Sequence, residues 1–211
     1  MFEIVFEIVF EIFRTYSQRE FVIERLKTLG IKIDHLGRCH LAYIIQHLVE
    51  KLGEAEAYNR YRFYFVFENF KCDDYISREV YEVFNVTRHY GLIPVLYGAG
   101  NTYKHFLPEG SYINAEDFAT VADLADELKR LRNAPLTELA KFASWQGDYD
   151  LNLRNVRTSL RLLCEKLWKV DAGVRKPERK LTTISDISQA IGQCRDVNTE
   201  WLNGNVTKTK H

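Results

Sequence analysis

The run Phe63-Tyr64-Phe65-Val66-Phe67-Glu68-Asn69 constrains the fold of this chain more than any other stretch. A segment so aromatic and so evenly apolar reads as a strand covered on both faces, which calls for a parallel sheet with helices above and below it. The run stops in two polar residues. Tyr75-Ile76-Ser77 then opens a helix, and Ile93-Pro94-Val95-Leu96-Tyr97-Gly98 is a second apolar strand that runs into glycines. Strand, helix and strand in this order make a βαβ unit, and in open α/β sheets ligands bind beyond the carboxyl ends of the strands. Polar groups at the tip of an apolar strand therefore mark a candidate site.

The elements around this unit fit the same plan. Residues 2 to 13 repeat Phe-Glu-Ile-Val with a period of four. On a helix the repeat would stack Glu3, Glu7 and Glu11 at i,i+4, where like charges repel. On a strand it sets Phe2, Ile4, Phe6, Ile8, Phe10 and Ile12 on one face, so a strand is expected, either core-facing or a pairing edge. Ser17-Gln18-Arg19-Glu20 has the spacing of a capping box and predicts a helix start, with Phe21, Ile23, Leu26 and Leu29 inward and Gly30 past its end. A short strand is expected at Ile31 to Asp34 and mostly helix from 41 to 60. Another short strand is expected at Tyr112 to Asn114, and a helix capped by Thr120 through Leu131. Helices should follow from Pro135, interrupted by a basic loop from Val174 to Lys180. The expected fold is α/β, a Rossmann-like, mostly parallel sheet with helices on both faces.

With 211 residues, 46% of them apolar, the chain can bury one substantial core. Lys+Arg and Asp+Glu both number 29, so overall charge points to neither a nucleic-acid nor a membrane-surface partner. No apolar run reaches the roughly 18 residues of a spanning helix, and no signal peptide is visible. Cys39, Cys72, Cys164 and Cys194 show no zinc spacing, so no metal site is expected; they suit either two disulfides or buried thiols. Asn85-Val86-Thr87 and Asn205-Val206-Thr207 are glycosylation sequons, with Asn85 and Asn205 as candidate acceptors. G-x-G-x-x-G and P-loop patterns are both missing from the sequence.

Six residues are candidates for binding. Arg19 lies in the first turn of a helix that follows a strand, where free amides already favour an anion; it is a phosphate ligand or a solvated surface arginine. Glu68 and Asn69 project into the crevice and can bind ribose hydroxyls or a base edge, or else cap a neighbouring helix. Tyr75 stacks on a base or packs in the core. Ser77 and Arg78 open the next helix, and Arg78 can pair with phosphate. Gly98-Ala99-Gly100-Asn101 lets backbone approach a ligand or simply turns the chain. None of the six histidines falls on metal or catalytic spacing.

The segment from Arg62 to Ser77, followed by Ile93 to Gly98, resembles the signature of the alpha-1,3-fucosyltransferases. Phe106-Leu107-Pro108-Glu109-Gly110-Ser111-Tyr112-Ile113-Asn114-Ala115-Glu116-Asp117-Phe118 is similar to that family's Pro-x-Ser-Phe-Ile-x-x-x-Asp-Phe segment, and Leu124 to Leu128 to its Leu-Ala-x-x-Leu helix. Upstream, Ser17 to Glu20 and Ile33 to Cys39 resemble its arginine-bearing helix and its Asp-x-x-Gly-x-Cys turn. The resemblance spans roughly residues 15 to 145 and is weaker beyond that, where it persists around Cys164 and Cys194.

The resemblance implies the C-terminal half of a GT-B glycosyltransferase, in which GDP-fucose is the donor substrate and no cofactor is tightly bound. It also implies a Golgi lumen or membrane location, and fucose transfer with inversion to the 3-hydroxyl of N-acetylglucosamine in a glycan. By this analogy Arg19 holds the diphosphate, and Glu68, Asn69 and Tyr75 surround the nucleotide sugar. The general base is expected in the N-terminal, acceptor-binding half, for which this sequence shows no match. The layout implied is a repetitive strand-like segment at 1–14, a donor-binding domain at 15–170 and an extension at 171–211. Where the family carries Thr-Glu-Lys or Ser-Glu-Lys, this chain has Ser77-Arg78-Glu79, exchanging acid and base; residues Asn85 to Tyr90 read as an insertion. A degenerate, non-catalytic GDP-sugar-binding or interaction module is the alternative reading.

Overall fold

A computed structural model of the chain describes residues 3–7, 17–36, 50–72, 75–149, 164, 167–168 and 199–204. The chain forms two compact units, Met1–Tyr149 with Cys194–His211, and Asp150–Gln193. The sheet belongs wholly to the first. Its strands are β1 (Glu3–Glu7), β2 (Ile33–Leu36), β3 (Tyr61–Phe67), β4 (Ile93–Tyr97) and β5 (Ile113–Asn114). Helices among the described residues include α1 (Arg19–Thr28), α2 (Glu54–Tyr58), α3 (Arg78–Tyr90), α4 (Thr102–Phe106), α5 (Val121–Arg132), α6 (Leu136–Leu139) and α7 (Thr199–Asn203). Short 3-10 segments cover Ala115–Asp117 and Ala140–Gly147.

The five strands are ordered β2-β1-β3-β4-β5, and every pairing among them is parallel. β1 and β3 are neighbours in space, while β2 lies on the far side of β1. This arrangement puts the topological switch point, and hence the natural crevice, between β1 and β3. The N-terminal repeat thus supplies an interior strand: Ile4 is in register with Ile33 and Phe63, and Phe6 with His35 and Phe65. Both edges of β1 are paired within Glu3–Glu7, and residues 8–13 of the repeat lie outside the described residues.

Burial explains the aromatic character of β3. Phe63, Phe65 and Phe67 share one core cluster with Ile93, Val95 and Tyr97 of β4, Ile113 of β5, Val22, Ile23 and Leu26 of α1, and Leu124, Leu128 and Leu131 of α5. The alternate residues Tyr64, Val66 and Leu96 are buried as well, outside that cluster, and α3 packs against β3 and β4. A strand that meets helices on both faces has no solvent side on which to place polar residues. α7 joins the same core: the Trp201 ring stacks on Tyr97 at 5.6 Å between centroids, and its Nε1 donates to the Phe118 carbonyl at 2.9 Å.

Two local expectations are corrected. Ser17 does not cap α1. Its hydroxyl donates to the Glu68 carbonyl at 2.6 Å and its N–H to the Asn69 carbonyl at 3.0 Å, while Gln18 takes the N-cap position at φ 50 without a side-chain cap. A tertiary bond to the end of β3 has displaced the local one. Phe21 is 45% exposed rather than inward, because the buried stripe of α1 runs through Val22, Ile23 and Leu26, one residue further round the helix. Other local readings hold. Gly30 follows α1 at φ 84, with its N–H on the Lys27 carbonyl, and the Thr120 hydroxyl accepts from Asp123 N–H at 3.1 Å to start α5. Residues Asn85 to Tyr90 extend α3 by its last turns. Of the helix expected from 41 to 60, residues 41–49 lie outside the described residues, while 50–60 contain helix, including α2 (Glu54–Tyr58); most of the chain after Asp150 also lies outside them.

Candidate functional site

β3 ends where the sequence turns polar, and there the chain forms a recess open to solvent, lined by Arg19, Val66, Phe67, Glu68, Asn69, Ser77 and Glu79. It lies at the carboxyl end of β3, beside the first residue of α1, at the switch point that the strand order defines. Four of the six predicted binding residues line it: Arg19, Glu68, Asn69 and Ser77.

Arg19 is only 5% exposed. Its Nη1 donates to the Phe67 carbonyl at 2.6 Å, a charge-assisted bond that ties the guanidinium to the strand end. Burial lowers its pKa from the usual value; Glu20, Glu68, Tyr75 and Glu79 act in the opposite direction. An arginine stays protonated regardless, so the recess contains a fixed positive charge that water screens poorly.

Glu68 is 2% exposed and is held from three sides. Its N–H donates to the Tyr97 carbonyl at 2.8 Å, its carbonyl accepts from Ser17, and its Oε1 accepts from Ser77 N–H at 2.8 Å. Burial pushes the carboxyl up to about 7, against the hydrogen bonds from Ser77; Glu79 adds to the rise and Arg19 opposes it. A fourth restraint is steric. Gly98 has φ +120, and a Cβ placed on it would lie 2.7 Å from the Glu68 Cβ, so only glycine fits against this side chain.

Asn69 lines the recess and has a buried Oδ1 without a hydrogen-bond partner. Tyr75 is half-buried and meets Phe70 edge-on at 5.9 Å; it is electrostatically coupled to Glu68, Glu79 and Arg19 but is not part of the recess wall. Burial raises its phenol pKa. Arg78 is placed outside the recess, its side chain 83% exposed and its Nε 2.6 Å from Glu82 Oε1. Its neighbour Glu79 lines the wall instead, because successive residues of a helix point about 100° apart. Asn85 is exposed on α3, whereas Thr87 of the same sequon is buried, its hydroxyl on the Phe84 carbonyl at 3.3 Å. Asn205 lies outside the described residues.

Beside the recess is a constellation that sequence reasoning missed. Lys71 Nζ pairs with Glu116 Oε1 at 2.8 Å, both side chains being largely buried. Glu116 Oε2 accepts from the N–H groups of Gly98 and Gly100 at 3.2 and 2.9 Å, and Lys71 stands 5.4 Å from the Tyr97 ring centre. The glycine turn after β4 therefore offers its amides to an internal carboxylate. Nothing local signals this, since Glu116 is separated from Gly98 by a helix and a strand. Among the described residues no cluster of three or more His, Cys, Asp or Glu is placed to hold a metal, and no helix is long and apolar enough to cross a membrane. Cys72 is disulfide-bonded, and Cys164 is free and exposed.

The fold and the recess define an open-sheet α/β domain with a polar, charged recess at its switch point. Residues 4–189 match the family described as "Glycosyltransferase family 10 (fucosyltransferase) C-term", and the chain belongs to that family. It is 31% identical over 140 residues to Alpha-(1,3)-fucosyltransferase C of Drosophila melanogaster, covering 65% of this chain and 30% of the relative. It is 29% identical over 152 residues to 4-galactosyl-N-acetylglucosaminide 3-alpha-L-fucosyltransferase FUT6 of Gorilla gorilla gorilla, covering 72% and 39%. It is 33% identical over 93 residues to fucosyltransferase 9 of Mus musculus, covering 44% and 24%. The chain thus spans less than two fifths of the length of these relatives.

Proposed function

We propose that this chain is the donor-binding half of an alpha-1,3-fucosyltransferase, holding GDP-fucose in the recess at the end of β3. The observation that carries this reading is the buried, strand-anchored Arg19 facing Glu68 and Asn69 at the switch point of a family 10 domain. In transfer, the bond between the fucose anomeric carbon and the β-phosphate oxygen breaks, and its electron pair leaves with GDP. On this reading Arg19 is the cation that meets the developing charge, and a preorganised, largely buried cation there lowers the barrier. The acceptor 3-hydroxyl of an N-acetylglucosamine attacks the opposite face, giving inversion, and its proton passes to a general base in the acceptor-binding half. The relatives' names supply the acceptor class. Asn69 Oδ1 and the Glu68 carboxyl suit sugar or ribose hydroxyls and the guanine edge, which offer donors. A Golgi lumen is the compartment that suits this activity, and the Cys72 disulfide is consistent with an oxidising one.

One observation favours a second reading, a donor-binding module without turnover: Glu79 lines the recess while Arg78 faces outward with Glu82. The deciding experiment joins this chain to the N-terminal half of an active relative and supplies GDP-fucose with an N-acetyllactosamine acceptor. Fucosylated product supports the transferase; its absence, with GDP-fucose still bound, leaves the module.

A further inference from the structure

Three charged side chains share the recess, and they do not balance for an anionic ligand. Arg19 brings one positive charge, while Glu68 and Glu79 bring two carboxylates. A diphosphate placed against Arg19 meets both acids of the same recess, whose like charges oppose it.

The other groups around Glu68 offer no relief. Glu20 on α1 adds a further acid near Arg19. Tyr75, Tyr97 and Tyr103 have phenol pKa values raised by burial, so they stay neutral through neutral pH. Lys71 is committed to Glu116, and Glu116 in turn to Lys71 and the Gly98 and Gly100 amides. Arg78 faces outward, paired with Glu82. Of the two recess acids Glu68 is the more deeply buried, at 2% exposed, so it is the one whose charge is costliest to keep beside an anion.

Resting on the reading of the recess as a GDP-fucose site, we propose that it takes the diphosphate together with one proton, which settles on Glu68, and that Glu79 is the residue that makes this proton necessary. The step is a protonation alone: a buffer proton joins Glu68 Oε2, Oε1 keeps its bond from Ser77 N–H, and no other bond changes. The new O–H is then a donor to the ligand, where the ionised carboxylate would only accept. The position of the free carboxyl supports this: burial already holds it at about 7, and an arriving anion raises it further.

The test is calorimetric titration of the whole chain with GDP-fucose, whose phosphate diesters stay ionised through neutrality, at about pH 6 and about pH 8 in buffers of different ionisation enthalpy. Proton uptake approaching one per ligand is expected near pH 8, with affinity weakening up to about tenfold per pH unit above about 7. Glu68→Gln, permanently neutral, should bind equally at both pH values and take up no proton. Glu79→Gln should tighten binding near pH 8 and reduce the uptake. GDP-fucose binding that is independent of pH and buffer in the unaltered chain would overturn the proton inference while leaving the donor site intact. No binding at any pH would remove both.

Discussion

The Ser17 hydroxyl donates to the Glu68 carbonyl at 2.6 Å across 51 residues of sequence, tying the approach to α1 to the end of β3. This bond carries Arg19 into the recess, since α1 begins two residues later. Ser17→Ala should therefore destabilise the domain by about 1 kcal/mol, the net worth of one hydrogen bond, and should weaken ligand binding through Arg19 without lowering helix content. Urea unfolding with circular dichroism tests this. A loss of helix signal in the folded state would show that Ser17 caps α1 after all.

Glu68 makes stability depend on pH. Its folded pKa of about 7 lies above the ordinary 4.5, so between those values the native state binds more protons than the unfolded chain. Its contribution is fully present below about pH 4.5 and is lost as pH rises through about 7, amounting to roughly 3 kcal/mol. Urea midpoints measured across that range should fall with rising pH in the native chain and stay flatter in Glu68→Gln. Parallel profiles in the two proteins would contradict the assignment.

Gly98 is held to glycine from two directions, its φ of +120 and the 2.7 Å approach of an added Cβ to Glu68. Gly98→Ala should destabilise by about 2 kcal/mol or more, through backbone strain and displacement of Glu68. Thermal unfolding of the variant decides it; an unchanged midpoint would mean that the turn tolerates a side chain.

The Lys71 and Glu116 pair fixes that same turn. Removing one partner leaves a largely buried charge uncompensated, so Lys71→Met should cost about 3 kcal/mol. Glu116→Gln keeps an acceptor for the Gly98 and Gly100 amides and should cost less. If Glu116→Gln proved the more damaging of the two in urea unfolding, the stranded Lys71 ammonium would outweigh the stranded Glu116 carboxylate.

How much of this was legible in the sequence depends on whether the cause was local. The β3 run announced a doubly covered parallel strand because burial on both faces leaves its mark on every residue, and Thr120 capped α5 as its spacing required. Arg19, Glu68, Asn69 and Ser77 could be assigned to one crevice because strand ends and helix starts meet there by topology. The role of Ser17 was misread because a capping box and a long-range donor look alike in sequence. Arg78 and Glu79 were distinguishable only once the helix phase was known. Glu116 was invisible because its partners lie 16 and 18 residues away, across elements whose arrangement no local rule supplies.

Arg78 is outward-facing, so Arg78→Ala should leave GDP-fucose affinity within about twofold of the native chain, as for an exposed pair of small worth. The central claim rests on Arg19. Calorimetric titration of GDP-fucose into the native chain, Arg19→Lys and Arg19→Ala tests it most directly, with circular dichroism confirming that each is folded. The account predicts measurable binding to the native chain and a loss of tenfold or more in Arg19→Ala, corresponding to about 1.4 kcal/mol, with Arg19→Lys intermediate. Equal affinity in all three folded proteins, or none in the native chain, would contradict it.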